Sequence, residues 1–397
     1  HGFVCLLHEK PFAGINGSGK HVNWSVGNST QGNLLDPGDS PHENAQFLVF
    51  CGAVIRGVHK YGPLMRAVIA TASNDHRLGA NEAPPAIMSV YLGTQLEEVF
   101  EQIKSGSVTD SKRKGLMDLG IDVLPPLTKD AGDRNRTSPF AFTGNRFEFR
   151  AVGSSQSVSG PLIALNTMLA DSLDWIGNRL ESELAKGADL NTAILTVLKE
   201  VMEEHGVVVF GGNGYSEEWH KMAVEERGLL NLPTTADALP YLAEEFIEDL
   251  FKKTGVLTPV ELESRYEVYS EQYILSIEVE AKLVISMVKT LIYPAAVGYL
   301  SKLSSTISSL TGLGITLEQE SAKTLADLTN SMVACVSKLS TAIEKHEFES
   351  TAEHMQYCAK TIRPLMDEVR EYADAIEGAI ADEFWPLPTY EEMLFIK

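Results

Sequence analysis

Apolar and polar residues alternate in two short stretches of the N-terminal part, "HVNWS" (residues 21–25) and "RFEFRA" (146–151). A period of two puts successive side chains on opposite faces, so each stretch predicts a two-faced strand. In the second, Phe147 and Phe149 share one face, and Arg146, Glu148 and Arg150 share the other. Helical spacing predicts a helix from Glu43 to Tyr61. "PPAIMSVYLGTQLEEVFEQIKSG" reads as strand followed by helix, and "VVVFGGNGYSEEWHKMAVEERG" as strand, glycine turn and helix.

From residue 161 onward the period changes to that of amphipathic helices. "PLIALNTMLADSLDWIGNRLESELAKG" and "DLNTAILTVLKEVMEEHG" are two of them. A very long one starts at a capping box with Thr258 as N-cap, Pro259 at N1 and Glu261 at N3. A similar box, Thr316 and Gln319, is expected to open the next. With the helical segment after it, this predicts an antiparallel helical bundle. The fold class is therefore α+β: a sheet with helices, followed by a mainly helical extension.

Charge sharpens this division. Residues 1–160 carry 15 basic and 15 acidic side chains, so the whole net charge of −21 falls in residues 161–397. Such a surface repels phosphate backbones and argues against nucleic acid. Four cysteines occur without a C-x-x-C pair, which points to a reducing, cytosolic setting and to no zinc knuckle. "HGFVCLL" lacks the marks of a signal peptide. "AKLVISMVKTLIYPAAVGYL" holds Lys282, Lys289 and Pro294, and reads as a buried helix, not a membrane span.

Four stretches carry candidate chemistry. "GINGSGKH", residues 14–21, fits the first seven positions of a phosphate-cradling P-loop, but His21 stands where Ser or Thr should bind magnesium. Residues 21–25 alternate like a strand, whereas a P-loop needs a helix there, so a plain glycine turn is the simpler reading. "SNDHRLGANEAPP", residues 73–85, is either a polar surface loop or a flap in which Arg77 clamps an anion and Glu82 acts as a base. "RNRTSPFAFTGNRFEFRA", residues 134–151, presents either a salt-bridge stripe or a metal-holding carboxylate flanked by guanidiniums. "GGNGYSEE" misses the third glycine of a dinucleotide fingerprint and reads as a tight turn with Ser216 as N-cap.

The first three stretches, in this order, resemble the catalytic half of glutamine synthetase. The wording of "FAGINGSGKHVNWS" and "RNRTSPFAFTGNRFEFRA", and the acidic helical extension ending "WPLPTYEEMLFIK", resemble its type III branch. The resemblance implies residues 1–250 as the C-terminal part of the catalytic domain and 251–397 as a helical extension. It implies ATP-dependent ligation of ammonium to L-glutamate through γ-glutamyl phosphate, with Mg²⁺ or Mn²⁺. A cytoplasmic homo-oligomer of two stacked hexameric rings is also implied, without nucleic acid or membrane.

By that resemblance Asn16 and Gly17 hold glutamate, and His21 binds the metal that serves ATP. Asn23 and Ser25 lie at the nucleotide, although Asn23 stands where type I enzymes carry histidine. Arg77 grips the α-carboxylate, and Glu82 closes the site and takes a proton from ammonium. Arg136 binds phosphate; its usual second partner is here Ala141, and Arg134 stands in, near the nucleotide. Glu148 is a metal ligand and Arg150 a phosphate or substrate contact. The family's β-grasp domain and most of its metal-binding glutamates precede the residues matched here. The 397-residue chain is thus expected to be a portion of the enzyme, inactive alone. The alternative is a non-catalytic assembly or regulatory protein of the same fold.

Overall fold

The computed structural model describes residues 9–10, 14–38, 41–79, 83–106, 116–117, 127–128, 137–389 and 392. These fall into two compact units, one ending at Tyr266 and one running from Glu267.

In the first unit β1 (Gly19–Trp24) is followed by a two-rung hairpin, β2 (Gly27–Asn28) and β3 (Gly32–Asn33). Helix α1 (Ala45–Ala67) starts at Asn44, whose side chain accepts from the Phe47 N–H at 3.0 Å. It runs past the expected end at Tyr61. Pro63 lacks an N–H and crowds the preceding turn, so the helix kinks at Tyr61 (φ −119°, ψ 22°) and then continues. Helix α1 comes close to a neighbouring helix at Gly52, where a Cβ would lie 2.7 Å from the end of the Leu198 side chain.

Helix α2 (Ala72–Arg77) is capped by Thr71 and buries Asn74, Asp75 and Arg77. The surface-loop reading of "SNDHR" therefore fails: these polar residues find buried partners, as Asp75 does with Arg66 at 3.1 Å. Then come β4 (Val90–Tyr91), α3 (Thr94–Ser105), the two-rung pair β5 (Leu116–Met117) and β6 (Leu127–Thr128), β7 (Phe140–Phe142) and β8 (Phe147–Gly153).

The main sheet has the order β1-β8-β7-β4, antiparallel except for the β7–β4 pair. Both predicted strands are present. Their apolar face (Val22, Trp24, Phe147, Phe149, Ala151) is buried with Phe140. Burying each of these phenylalanines contributes about 1.5–3 kcal/mol. The face packs on α1 and on α4 (Ser159–Ala185), where Trp24 Nε1 donates to Asn166 Oδ1 at 2.9 Å. Helix α5 (Leu190–His205) packs on α1, α3 and α4.

The strand expected at "VVVF" reduces to a 3₁₀ turn and one parallel bridge, Val209 with Val90. The tight-turn reading of "GGNGYSEE" holds: Ser216 Oγ accepts from the Trp219 N–H at 3.1 Å and opens α6 (Glu217–Lys221). Helices α7 (Thr235–Ala238) and α8 (Glu245–Thr254) complete the unit.

The long helix starts as expected. Thr258 and Glu261 form the capping box, each backbone N–H bonded to the other's side chain at 2.8 and 3.3 Å. From there α9 (Pro259–Met287) passes through a π turn into α10 (Tyr293–Gly312). Next are α11 (Glu320–Ala342), α12 (Thr351–Tyr357) and, after another π turn, α13 (Arg363–Glu377). Each π turn precedes a proline, Pro294 or Pro364, whose ring cannot follow an unbroken α-helical turn. Helix α11 packs against α10 and α13, burying Leu325, Met332, Leu339, Val369 and Ile376.

Two expectations for this unit need correction. The Thr316–Gln319 box does not form. Gln319 is the N-cap but makes no side-chain bond, and Glu318 accepts from the Ser321 N–H at 3.0 Å instead. Nor is "AKLVISMVKTLIYPAAVGYL" a buried helix. Its apolar residues lie on both faces; Ile285, Val288, Ile292 and Ala296 are covered, whereas Leu283, Leu291, Tyr293 and Val297 are exposed. The continuous helix Pro259–Gly312 is long and apolar enough to cross a membrane by length and composition, the one such helix among the described residues.

Candidate functional site

"GINGSGKH" continues into a strand, which settles the P-loop question: no helix N-terminus stands behind it to receive phosphate. Gly14 turns the chain at φ +69°, and the Ser18 N–H donates to the Glu9 carbonyl at 2.7 Å. Strand β1 then alternates, with Val22 and Trp24 inward and His21, Asn23 and Ser25 exposed. Lys20, on the other side of the strand from His21, donates to the Gln156 carbonyl.

The register of β1 on β8 builds the site. Asn23 faces Glu148 and Val22 faces Phe149, but Lys20 faces Val152, so β8 has one extra residue opposite His21. Such a bulge re-aims side chains. It leaves His21 Nδ1 3.0 Å from Glu148 Oε1, with the imidazole 45% and the carboxylate 16% exposed. Beside them Arg146 Nε donates to Asn23 Oδ1 at 3.2 Å. The turn between β7 and β8 supports this edge: Gly144 has φ +96°, and the Thr143 N–H donates to the Arg146 carbonyl at 2.8 Å. The exposed face therefore presents imidazole, carboxylate, amide and guanidinium together.

Arg150 and Arg77 lie below this face and are buried. Arg150 donates through Nη2 to the Ser138 carbonyl. Arg77 donates to the Arg150 carbonyl at 2.8 Å, to Asn74 Oδ1 at 3.2 Å and to the Val152 carbonyl at 3.4 Å. Burial disfavours its charge, and the neighbouring Glu9 and Tyr215 offset part of that cost. In this structure the Arg77 guanidinium thus serves backbone carbonyls of β8. It lies against Gly19, where a Cβ would be 2.1 Å from Nη2.

Asn16 and Gly17 are exposed on the loop ahead of β1. Glu82, Arg134 and Arg136 lie outside the described residues. The structure therefore brings His21, Asn23 and Glu148 into one patch, and sets Arg77 and Arg150 beneath it. Among the described residues no group of three or more His, Cys, Asp or Glu side chains could hold a metal ion.

Two neighbours of the site were not singled out from the sequence. Glu9 is wholly buried and accepts from the Ser155 N–H and hydroxyl at 3.1 and 2.9 Å. Tyr215 Oη donates to the Ala83 carbonyl at 2.7 Å, tying the glycine turn to the end of the 73–85 stretch. A charged residue between apolar runs was the only sequence signal for Glu9.

Residues 193–311 match the glutamine synthetase C-terminal domain. The whole chain is 42% identical to the type-3 glutamine synthetase of Dictyostelium discoideum, of which it covers 55%. It is 41% identical to a glutamine synthetase of Butyrivibrio fibrisolvens and 37% to one of Bacteroides fragilis (strain YCH46), covering all of itself and 56% of each. The chain thus spans about half the length of the curated relatives it matches.

Proposed function

This chain is related over its whole length to the glutamine synthetases, and we propose that the natural protein ligates ammonia to L-glutamate. ATP is consumed, γ-glutamyl phosphate is the intermediate, and glutamine, ADP and phosphate are the products. The observation that supports this reading most is the His21–Glu148 pair, 3.0 Å apart across β1 and β8, within the two motifs of the resemblance.

The pair suits part of a divalent-ion site. Mg²⁺ takes about six ligands, mostly oxygen, and His21 with Glu148 supplies one nitrogen and one carboxylate. The remaining donors would be phosphate oxygens, water and groups beyond the described residues. A bound ion supplies charge neutralisation for the triphosphate and the transferring phosphoryl group.

The other roles belong to this chain's own side chains. Asn16 and Gly17 hold glutamate on the exposed loop, and Arg77 orients its α-carboxylate. Asn23, Ser25 and Arg134 line the nucleotide end. Arg136 and Arg150 offset phosphate charge, and Glu82 takes a proton from ammonium. Residues 1–250 form the catalytic portion and 251–397 the helical extension of a cytoplasmic oligomer of two stacked hexameric rings. Among the described residues His21 and Glu148 are two donors, fewer than such an ion takes, and the isolated chain is expected to be inactive.

The test is release of phosphate and glutamine by the natural protein with glutamate, ammonium, ATP and Mg²⁺. His21→Ala should lower turnover roughly 10–100-fold, as loss of a ligand-shell group does, while Lys20→Ala stays within about two-fold. No glutamine from the natural protein would refute the reaction. A larger loss with Lys20→Ala would refute the assignment of His21.

A further inference from the structure

Glu9 is the least explained buried charge near the site. It is 0% exposed, yet among the described residues its Oε2 has no hydrogen-bond partner. A buried carboxylate with an unpaired oxygen is costly unless an opposite charge lies close. Arg77 lies at the same end of β8, donating to the Val152 carbonyl beside Gly153, and the Glu9 charge acts on it.

Glu9 also touches two other parts of the site. Its carbonyl accepts from the Ser18 N–H at 2.7 Å, directly after Asn16 and Gly17. Its Oε1 accepts from the Ser155 N–H and hydroxyl, in the turn that ends β8. Glycines make room for it: a Cβ on Gly17 would lie 2.4 Å from the Glu9 carbonyl oxygen, and one on Gly153 2.6 Å from Oε1. The chain thus packs backbone against Glu9 at both ends, and Gly19 packs against Arg77 in the same way.

We propose that Glu9 is a positioning residue for the glutamate end of the site: its carboxylate fixes Arg77 relative to β8, while its main-chain carbonyl holds the Asn16–Gly17 loop. It does not touch the triphosphate end, which lies along the exposed face of His21, Asn23 and Glu148. The inference rests on the proposed ligase reaction, and it makes glutamate binding depend on Glu9 while leaving nucleotide binding unaffected.

The experiment uses Glu9→Gln in the natural protein, which preserves shape and acceptor but removes the charge. The dissociation constant for L-glutamate is measured by calorimetry, and KM for glutamate and for ATP by steady-state turnover. Misplacement of about 1 Å can cost up to roughly 100-fold, so glutamate affinity and KM should worsen about ten-fold or more, with KM for ATP within about two-fold. Gly19→Ala, which displaces Arg77 from the other side, should give the same split. If Glu9→Gln does not fold, Ser155→Ala removes only the hydroxyl donor to Oε1 and should raise KM for glutamate several-fold. Unchanged glutamate binding, or equal rises for glutamate and ATP, would overturn the inference. Failure of the unsubstituted protein to make glutamine would instead overturn the reaction, so the two failures are distinguishable.

Discussion

His205 makes the stability of the first unit depend on acid. It ends α5, is 5% exposed, and sits with its Nδ1 2.8 Å from Nδ1 of His59 on α1. Only one of the two nitrogens can carry the shared proton, so the ring that accepts it is neutral, and burial disfavours charge on either ring. The Trp175 ring lies edge-on at 6.4 Å, Arg56 and Lys60 add positive charge, and Glu204 is 3.6 Å from Nε2 on the exposed side. Burial first, then the charges of His59, Arg56 and Lys60, pull the His205 pKa down to about 4 from 6.5. Burial lowers His59 as well.

Since the folded pKa lies below the unfolded one, the unfolded chain binds more protons between them. Stability is complete above about pH 6.5 and is lost as pH falls toward about pH 4. At about pH 5 the His205 contribution amounts to a loss of about 2 kcal/mol relative to about pH 8. Denaturant unfolding of the wild type and His205→Asn at both pH values isolates it. Asn keeps a hydrogen-bonding group near Nδ1 but does not titrate, so the stability advantage of the wild type should shrink by about 2 kcal/mol on going to about pH 5. Parallel pH dependences for the two proteins would show that the pair does not carry this linkage.

Two further substitutions test how the helices are held. Asp171 is buried on α4 and accepts from Arg56 at 2.9 Å, Tyr61 at 2.8 Å and Lys253 at 3.0 Å; these partners hold its carboxyl far below the usual range against the opposing effect of burial. Asp171→Asn leaves Arg56 buried without its counter-charge and should cost roughly 3–5 kcal/mol, read as a drop in unfolding midpoint. Thr258→Ala removes the reciprocal cap of α9, an exposed feature, and should cost only about 1 kcal/mol in the same measurement. A loss as large as that for Asp171→Asn would mean that the helix start is anchored by something other than its cap.

Local pattern determined much of this protein. The two-residue period of "HVNWS" and "RFEFRA" predicts β1 and β8 because alternation is a property of a strand by itself. The Thr258–Glu261 box and the Ser216 cap are legible for the same reason: donor and acceptor are three residues apart. The motifs around His21 and Glu148 also point to their family without any coordinates. The features that local pattern left open depend on partners far along the chain. "VVVF" has strand composition but finds only the Val90 rung. The capping signal at Thr316 loses to Glu318, three residues before Ser321. The apolar residues of the long helix do not say which of them will be covered. The meeting of His21 with Glu148, 127 residues apart, follows from the register and the bulge between β1 and β8. The same holds for Arg77 under Gly19 and for Glu9 between two turns. These placements were decided by tertiary packing, because a contact between distant residues is fixed by the backbones that bring them together, and those backbones are set by the whole core.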